Sequence, residues 1–422
     1  MKIEIIPSAS NLPRREGWMR LTEKDFNHYE SFFAKHPDIK PESVDEIYTK
    51  GVLEIVPMPA IIVRHLDWLL KTDGKLIVDF CFPNSPFYGE YNNLYTVRYF
   101  LSQSFSNNIK LTNSNFSNHS HLEYTKYKSC LPNDDSINAW TFGICSNGTN
   151  VENVLAIISQ LNSLNIPLCQ IIVCGPPINE NLPSNVIVVD DSPIYAVGDN
   201  RFPIGKKKNL IVEHALYNNV VIMHDRYTFH ADWYKNMIRW GNYFDMLAFP
   251  VLDVDNPELH LCDWQCADYY HPRKELNQVI HALPYTMYNE YAYINGGIFM
   301  CKKHIYNEMR MSTKLHWDEM EDIDFSRRMM LYGYLISFDI NNHIFSSTRR
   351  LHPIGKPDIY PPKMTFGRII SNKRQYYYHI SHDRKEYYAF IHARKRYLID
   401  AIDLKCFIYR ALSFLRKRFR FK

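Results

Sequence analysis

The sequence lacks the features that mark several classes of protein. Its nine cysteines are scattered, with no C-x-x-C pair and no spacing suited to zinc, so neither a disulfide framework nor a structural zinc site is expected. No apolar run is long enough to span a bilayer and no signal-peptide pattern opens the sequence, so a cytoplasmic setting with reduced thiols is expected. The net charge is only +4 over 422 residues, which provides no global field for binding nucleic acid, and no nucleic-acid partner is expected. The composition is that of a folded protein, 46% hydrophobic and 22% charged, and the length calls for two or three domains.

Charge is concentrated at one end. From Lys405 to Lys422, seven Lys and Arg residues alternate with Phe407, Ile408, Ala411, Leu412, Phe414 and Leu415, without one acid. This reads as a basic amphipathic helix suited to an anionic membrane surface, peripheral on the inner face of the cytoplasmic membrane. A solvated tail packing its apolar stripe on the protein body is the alternative.

The stretch from Val44 to Phe80 alternates in type: a short strand near Glu46–Tyr48, a helix with Ile62, His65, Leu66, Leu69 and Leu70 on one face, a T-D-G turn, and an apolar strand Leu76–Phe80. Strand, helix and strand imply a parallel sheet. Asp45–Tyr48, Val52–Glu54 and Leu69–Leu76 resemble the later half of class I SAM-dependent methyltransferases from polysaccharide loci. The resemblance implies a glycine-rich turn and a ribose-binding acid upstream. Pro7–Ser8–Ala9–Ser10 stand at that turn, and Thr22 stands where the acid would be. A Rossmann-like, degenerate methyltransferase-like domain is therefore expected over residues 1–132, with no SAM bound and Asn84 to Ser129 completing it. An active, bifunctional enzyme is the alternative.

Leu131 to Ala139 is a polar, turn-rich seam, read as the boundary. A strand ending in small polar residues at Cys145–Ser146, a helix and two more buried strands follow, the pattern of a nucleotide-binding α/β half. A helix from about Lys207 to Tyr217 then leads into the strand Val220–Met223, which ends at His224–Asp225–Arg226. Gly205, Lys208, Asn209 and Ala215, followed by this strand, resemble the order in family 2-like GT-A glycosyltransferases, where the strand ends in a D-x-D motif. Tyr291–Tyr306, with Asn295, Gly296 and Gly297, and then "EDIDFSRRMMLYG" from Glu321, continue that order.

The resemblance implies a GT-A domain over 138–360 followed by a helical, basic, membrane-associating extension over 361–422. It implies donor contacts from Ser146, Lys208, Asn209, Asp225, Asn295, Gly296 and Gly297, with Asp322 as general base of an inverting transfer and Glu321 beside it. The acids crowded ahead of the late helix also suit a helix N-terminus, whose partial charge favours ionised carboxylates. Asp318, Glu319, Asp263 and Trp264 are expected at the acceptor. Only Asp225 remains of the metal-binding pair. With His224 it can hold Mn²⁺ or Mg²⁺, or Arg226 can supply positive charge in place of a metal; His343 and His352 are weaker candidates as further ligands. The expected partners are a nucleotide sugar and a glycan or lipid-linked acceptor in bacterial surface polysaccharide synthesis, lipopolysaccharide O-antigen or capsule. A membrane-bound assembly factor without catalysis is the alternative.

Overall fold

The computed structural model describes residues 1–56, 58–81, 101, 108–114, 121–195, 202–258, 261, 263–268, 279–288, 292–315 and 321–348. Asp318, Glu319, His352 and the basic C-terminal segment lie outside the described residues. Among the described residues no helix is long and apolar enough to cross a membrane.

The first sheet has six strands in the order β2-β1-β3-β4-β6-β5. Strands β1 (Lys2–Ile5), β2 (Met19–Leu21), β3 (Val44–Lys50) and β4 (Leu70–Asp79) run parallel, while β6 (His121–Lys126) is antiparallel to β4 and to β5 (Ile109–Ser114). Short helices α1 (Phe32–Lys35) and α2 (Val52–Ile55) precede α3 (Pro59–Leu69). Ile62, Val63, Leu66 and Leu69 of α3 lie in one buried cluster with the sheet residues Ile3, Ile47, Leu76 and Val78. Thr72–Asp73–Gly74, expected as a turn, is instead a bulge inside β4: the register with β3 slips there and Asp73 takes φ +63°.

The second sheet has seven strands, β18-β12-β17-β10-β7-β8-β9. The strands are β7 (Ala139–Cys145), β8 (Leu168–Cys174), β9 (Val186–Val189), β10 (Asn219–His224), β12 (Met246–Ala248), β17 (Ile298–Lys302) and β18 (Ile336–Phe338). Only β17 runs against the rest. Every residue of β7 and β10 is buried, as central strands covered on both faces require.

Helices α4 (Val151–Ser163) and α6 (Trp233–Trp240) cover one face, and α5 (Ile204–His214), α7 (Lys303–Met309) and α8 (Glu321–Leu331) the other. Helix α4 does so through Val154, Ile157, Ile158 and Leu161, an amphipathic stripe at helical spacing. Helix α5 starts a turn earlier than expected, with Pro203 at its N-cap, a position a proline tolerates. It packs so closely on β7 that a Cβ at Gly143 would fall 2.1 Å from Ile211. Small sheets of β11 (Tyr227–Phe229), β19 (Ile344–Ser346) and β13 (Val251–Asp253), and of β15 (Val279–Ala282), β14 (Gln265–Asp268) and β16 (Ala292–Tyr293), complete the described structure.

The two large sheets are joined by buried charge. Arg64 of α3 donates twice to Asp245, at 2.7 and 2.6 Å, and once to Asp67 at 2.6 Å. Each side also has its own buried cation: Lys126 of β6 bridges Glu42 and Asp67 beside the first sheet, and Lys302 of β17 holds Asp135, Asn219 and Asn242 beside the second. His28 stacks on Trp264, and its carbonyl accepts from the Phe338 amide.

Candidate active site

The chain runs from β7 outward through β8 to β9, then returns through α5 to β10 on the other side of β7. Strand order reverses there, and the crevice at the carboxyl ends of β7 and β10 is where an open α/β sheet binds ligands. Ser146 and Asp225 stand at those two ends, and the Ser146 hydroxyl donates to Asp225 Oδ2 at 3.0 Å. Asn153 of α4 donates to the Asp225 carbonyl at 2.6 Å.

From this pair a closed circuit of contacts runs around the crevice. The amide of His224 donates to the Gly297 carbonyl at 2.9 Å. The amide of Gly296 donates to Asp322 Oδ2 at 3.0 Å. Next to Asp322, Glu321 accepts from the buried Lys208 ammonium at 2.9 Å. Lys207, adjacent on α5, donates to the Ser146 carbonyl and pairs with Asp191 at 2.5 Å. Asp191 follows β9, so the circuit takes in the ends of three parallel strands, the entry to β17 and the N-terminus of α8.

The paired glycines are a packing requirement. A Cβ at Gly296 would lie 2.8 Å from Asp322 Oδ2, and one at Gly297 would lie 2.4 Å from the Tyr227 hydroxyl and 2.9 Å from Arg226 Nη2. Asn295 holds the turn through its Oδ1, which accepts from the Gly297 amide at 2.8 Å, while its buried Nδ2 has no partner among the described residues.

Asp322 is half-buried at the start of α8. Burial, then the neighbouring charge of Glu321, push its carboxyl up to about 7; Lys208 and the Gly296 and Ile323 amides pull the other way. The ionisation expected from a helix N-terminus is thus outweighed by desolvation. A carboxylate poised near neutral pH is a stronger base than an ordinary aspartate.

The structure brings Ser146, Lys208, Asp225, Asn295, Gly296, Gly297, Glu321 and Asp322 to one rim. Asn209 turns away from it: Nδ2 donates to the Met311 carbonyl, and Oδ1 accepts from the Tyr306 hydroxyl and the Met311 amide. It ties α5 to the chain after α7, leaving no free group for a donor. Trp264 has 0% exposure, with its indole N–H on the Met287 carbonyl and its ring against His28 and Phe338. Asp263 is equally enclosed, accepting from the Val251 amide and the Tyr285 hydroxyl, and burial pushes its carboxyl up to about 7. Neither residue presents a surface to an acceptor; the length and polarity of their segment suggest an acceptor side, but these two side chains pack inward.

His343 lies against His230, with ring centroids 4.5 Å apart, beside the first residue of β19. Among the described residues no group of three or more His, Cys, Asp or Glu side chains is arranged to hold a metal ion. Asp225 is a single carboxylate at this strand end, with one oxygen engaged by Ser146.

Sequence reasoning missed Asp191 and Lys207. The available signal was three consecutive lysines on a helix that must pack on a sheet, since lysine is almost never fully buried unless paired. Lys207 and Lys208 are both 0% exposed.

Among solved structures, the chain is similar to S. aureus TarS 1-349, with TM-score 0.32 and 13% identity over 50% of this chain and 60% of that one. A second S. aureus TarS structure matches with TM-score 0.32 and 11% identity over 50% of this chain and 37% of that one. This chain spans less than two thirds of either TarS structure. No protein-family model matches the chain, and no curated protein matches its sequence.

Proposed function

We propose that this protein is a glycosyltransferase that moves a sugar from a nucleotide-sugar donor to a hydroxyl of a glycan acceptor. The observation that carries the proposal is the circuit around the β7–β10 crevice, with the half-buried Asp322 carboxyl raised to about 7 on its rim. In this reading the nucleotide occupies the crevice near Ser146, Asp191 and Asp225, and the sugar lies against Gly296 and Gly297. Asp322 accepts the proton of the attacking hydroxyl. The oxygen forms its bond to the anomeric carbon as the bond to the phosphate oxygen breaks, and the electron pair leaves with the nucleoside phosphate. A single displacement of this kind inverts the anomeric centre. Glu321, pinned by Lys208, fixes the base and sets its proton affinity.

The acceptor is proposed to be a surface polysaccharide glycan, with Asp318 and Glu319 on its side and the basic C-terminal segment on an anionic membrane. The first sheet is proposed to be a non-catalytic, methyltransferase-like mount. Its own strand reversal, between β1 and β3, supports this. Arg15 lies 3.5 Å over the Tyr48 ring, and its amide donates to Glu4 Oε1 at 3.2 Å, so residues of the chain itself cover that crevice.

A thermal-shift panel of UDP-, GDP-, CMP- and dTDP-sugars tests the proposal on wild type and Asp225→Ala. A ligand that binds only the folded state raises the melting temperature. One nucleotide class should stabilise the wild type and lose that effect in Asp225→Ala. A flat response across the panel would favour a non-catalytic assembly role.

A further inference from the structure

We propose that Arg226 is the cation that receives the donor's phosphate charge, so that this site binds nucleotide and releases it without a divalent metal. This rests on the glycosyltransferase reading above and names the group that serves its leaving side. Arg226 follows Asp225 directly, at the carboxyl end of β10. It is half-buried, and its guanidinium lies on the neighbouring Tyr227, with Nη2 donating to the Tyr227 hydroxyl at 3.2 Å and the group 5.0 Å over the Tyr227 ring.

Every other cation on the rim is engaged: Lys207 with Asp191 and Lys208 with Glu321. Among the described residues no carboxylate pairs with Arg226. Nη2 reaches the space beside Gly297 that a Cβ there would fill. Its main chain is held too, since the Ser347 amide donates to the Arg226 carbonyl at 3.0 Å.

A guanidinium presents its donors in a fixed fork that matches phosphate oxygens. It would also repel a divalent cation placed beside Asp225. The electrostatic task a metal performs on a leaving phosphate is to neutralise its developing charge. Here stands an arginine that no carboxylate pairs with among the described residues, and the neighbouring carboxylate is engaged by Ser146.

The test is calorimetric titration of the full chain with UDP, GDP, CMP and dTDP and with the matching nucleosides, first in EDTA and then with Mn²⁺. At least one nucleotide should bind in EDTA, with its affinity changed less than about threefold by Mn²⁺. Arg226→Gln should weaken that nucleotide about tenfold or more while leaving the nucleoside unchanged, the loss expected of one charge-assisted hydrogen bond. Arg226→Lys should recover part of the affinity, and unchanged melting temperatures in both variants would show that folding is intact. Binding that needs Mn²⁺, or undiminished nucleotide affinity in Arg226→Gln, would overturn the metal-free inference and leave the donor site standing. No nucleotide binding in either condition would overturn the donor site as well.

Discussion

In the proposed reaction Asp322 is the base, and burial and two charged neighbours act on its carboxyl. Burial raises its proton affinity, Glu321 raises it further, and Lys208, paired with Glu321, pulls it down. The base form is the deprotonated one, so kcat should rise about tenfold per pH unit below neutrality and level off above about 7. Glu321→Gln removes the charge that opposes ionisation and frees Lys208 to favour the Asp322 carboxylate. The acidic limb should then move to lower pH, read from kcat between pH 5 and 9. A limb that stays in place would assign it to another group. The same substitution leaves a buried ammonium without its counter-charge, which costs about 3–5 kcal/mol, so the profile belongs at a temperature well below unfolding.

Much of the element order was legible because apolar runs and stripes report burial directly. "WTFGIC" and "NVVIMH" read as covered strands and are β7 and β10, and the stripe of α4 is plain in Val154, Ile157, Ile158 and Leu161. The glycine pair before β17 and the acids that open α8 were legible as a site because small and charged residues interrupt these apolar runs. What escaped is what depends on distant partners. Nothing local distinguishes Lys207 from Lys206, or marks Asn209 as a strap, because Asp191 and Met311 lie far along the sequence. Trp264 looked like a sugar platform until His28, over two hundred residues earlier, was found stacked on it. The contact between Gly296 and α8 gives the prediction at this scale. In Gly296→Ala the methyl would press on Asp322 at 2.8 Å from Oδ2 and displace the base, so kcat should fall by about a hundredfold or more with nucleotide affinity little changed. A matching loss of nucleotide affinity would place Gly296 in donor binding.

Across the whole molecule, the first sheet is bound to the second through charge that neither can leave unpaired. Arg64 is buried against Asp67 and Asp245, and Asp245 Oδ2 also accepts from the Leu335 amide just beyond α8. Arg64→Ala would leave Asp245 buried without its cation, while Asp67 keeps Lys126, and should destabilise the fold by about 3–5 kcal/mol, measured by urea unfolding with both sheets melting in one transition. Separate transitions would contradict the view that the first sheet is part of the catalytic body. In the proposed account the first sheet mounts the second, the second holds the crevice, and the crevice is useful only if Asp322 takes a proton. The most direct test is therefore turnover of whichever nucleotide sugar binds, in wild type and Asp322→Asn, with the anomer released or transferred followed by NMR. The expected result is an inverted product in wild type, a loss of about a hundredfold or more in Asp322→Asn, and donor affinity within about threefold. Retained configuration, or turnover undiminished in Asp322→Asn, would contradict the assignment of Asp322 as the base.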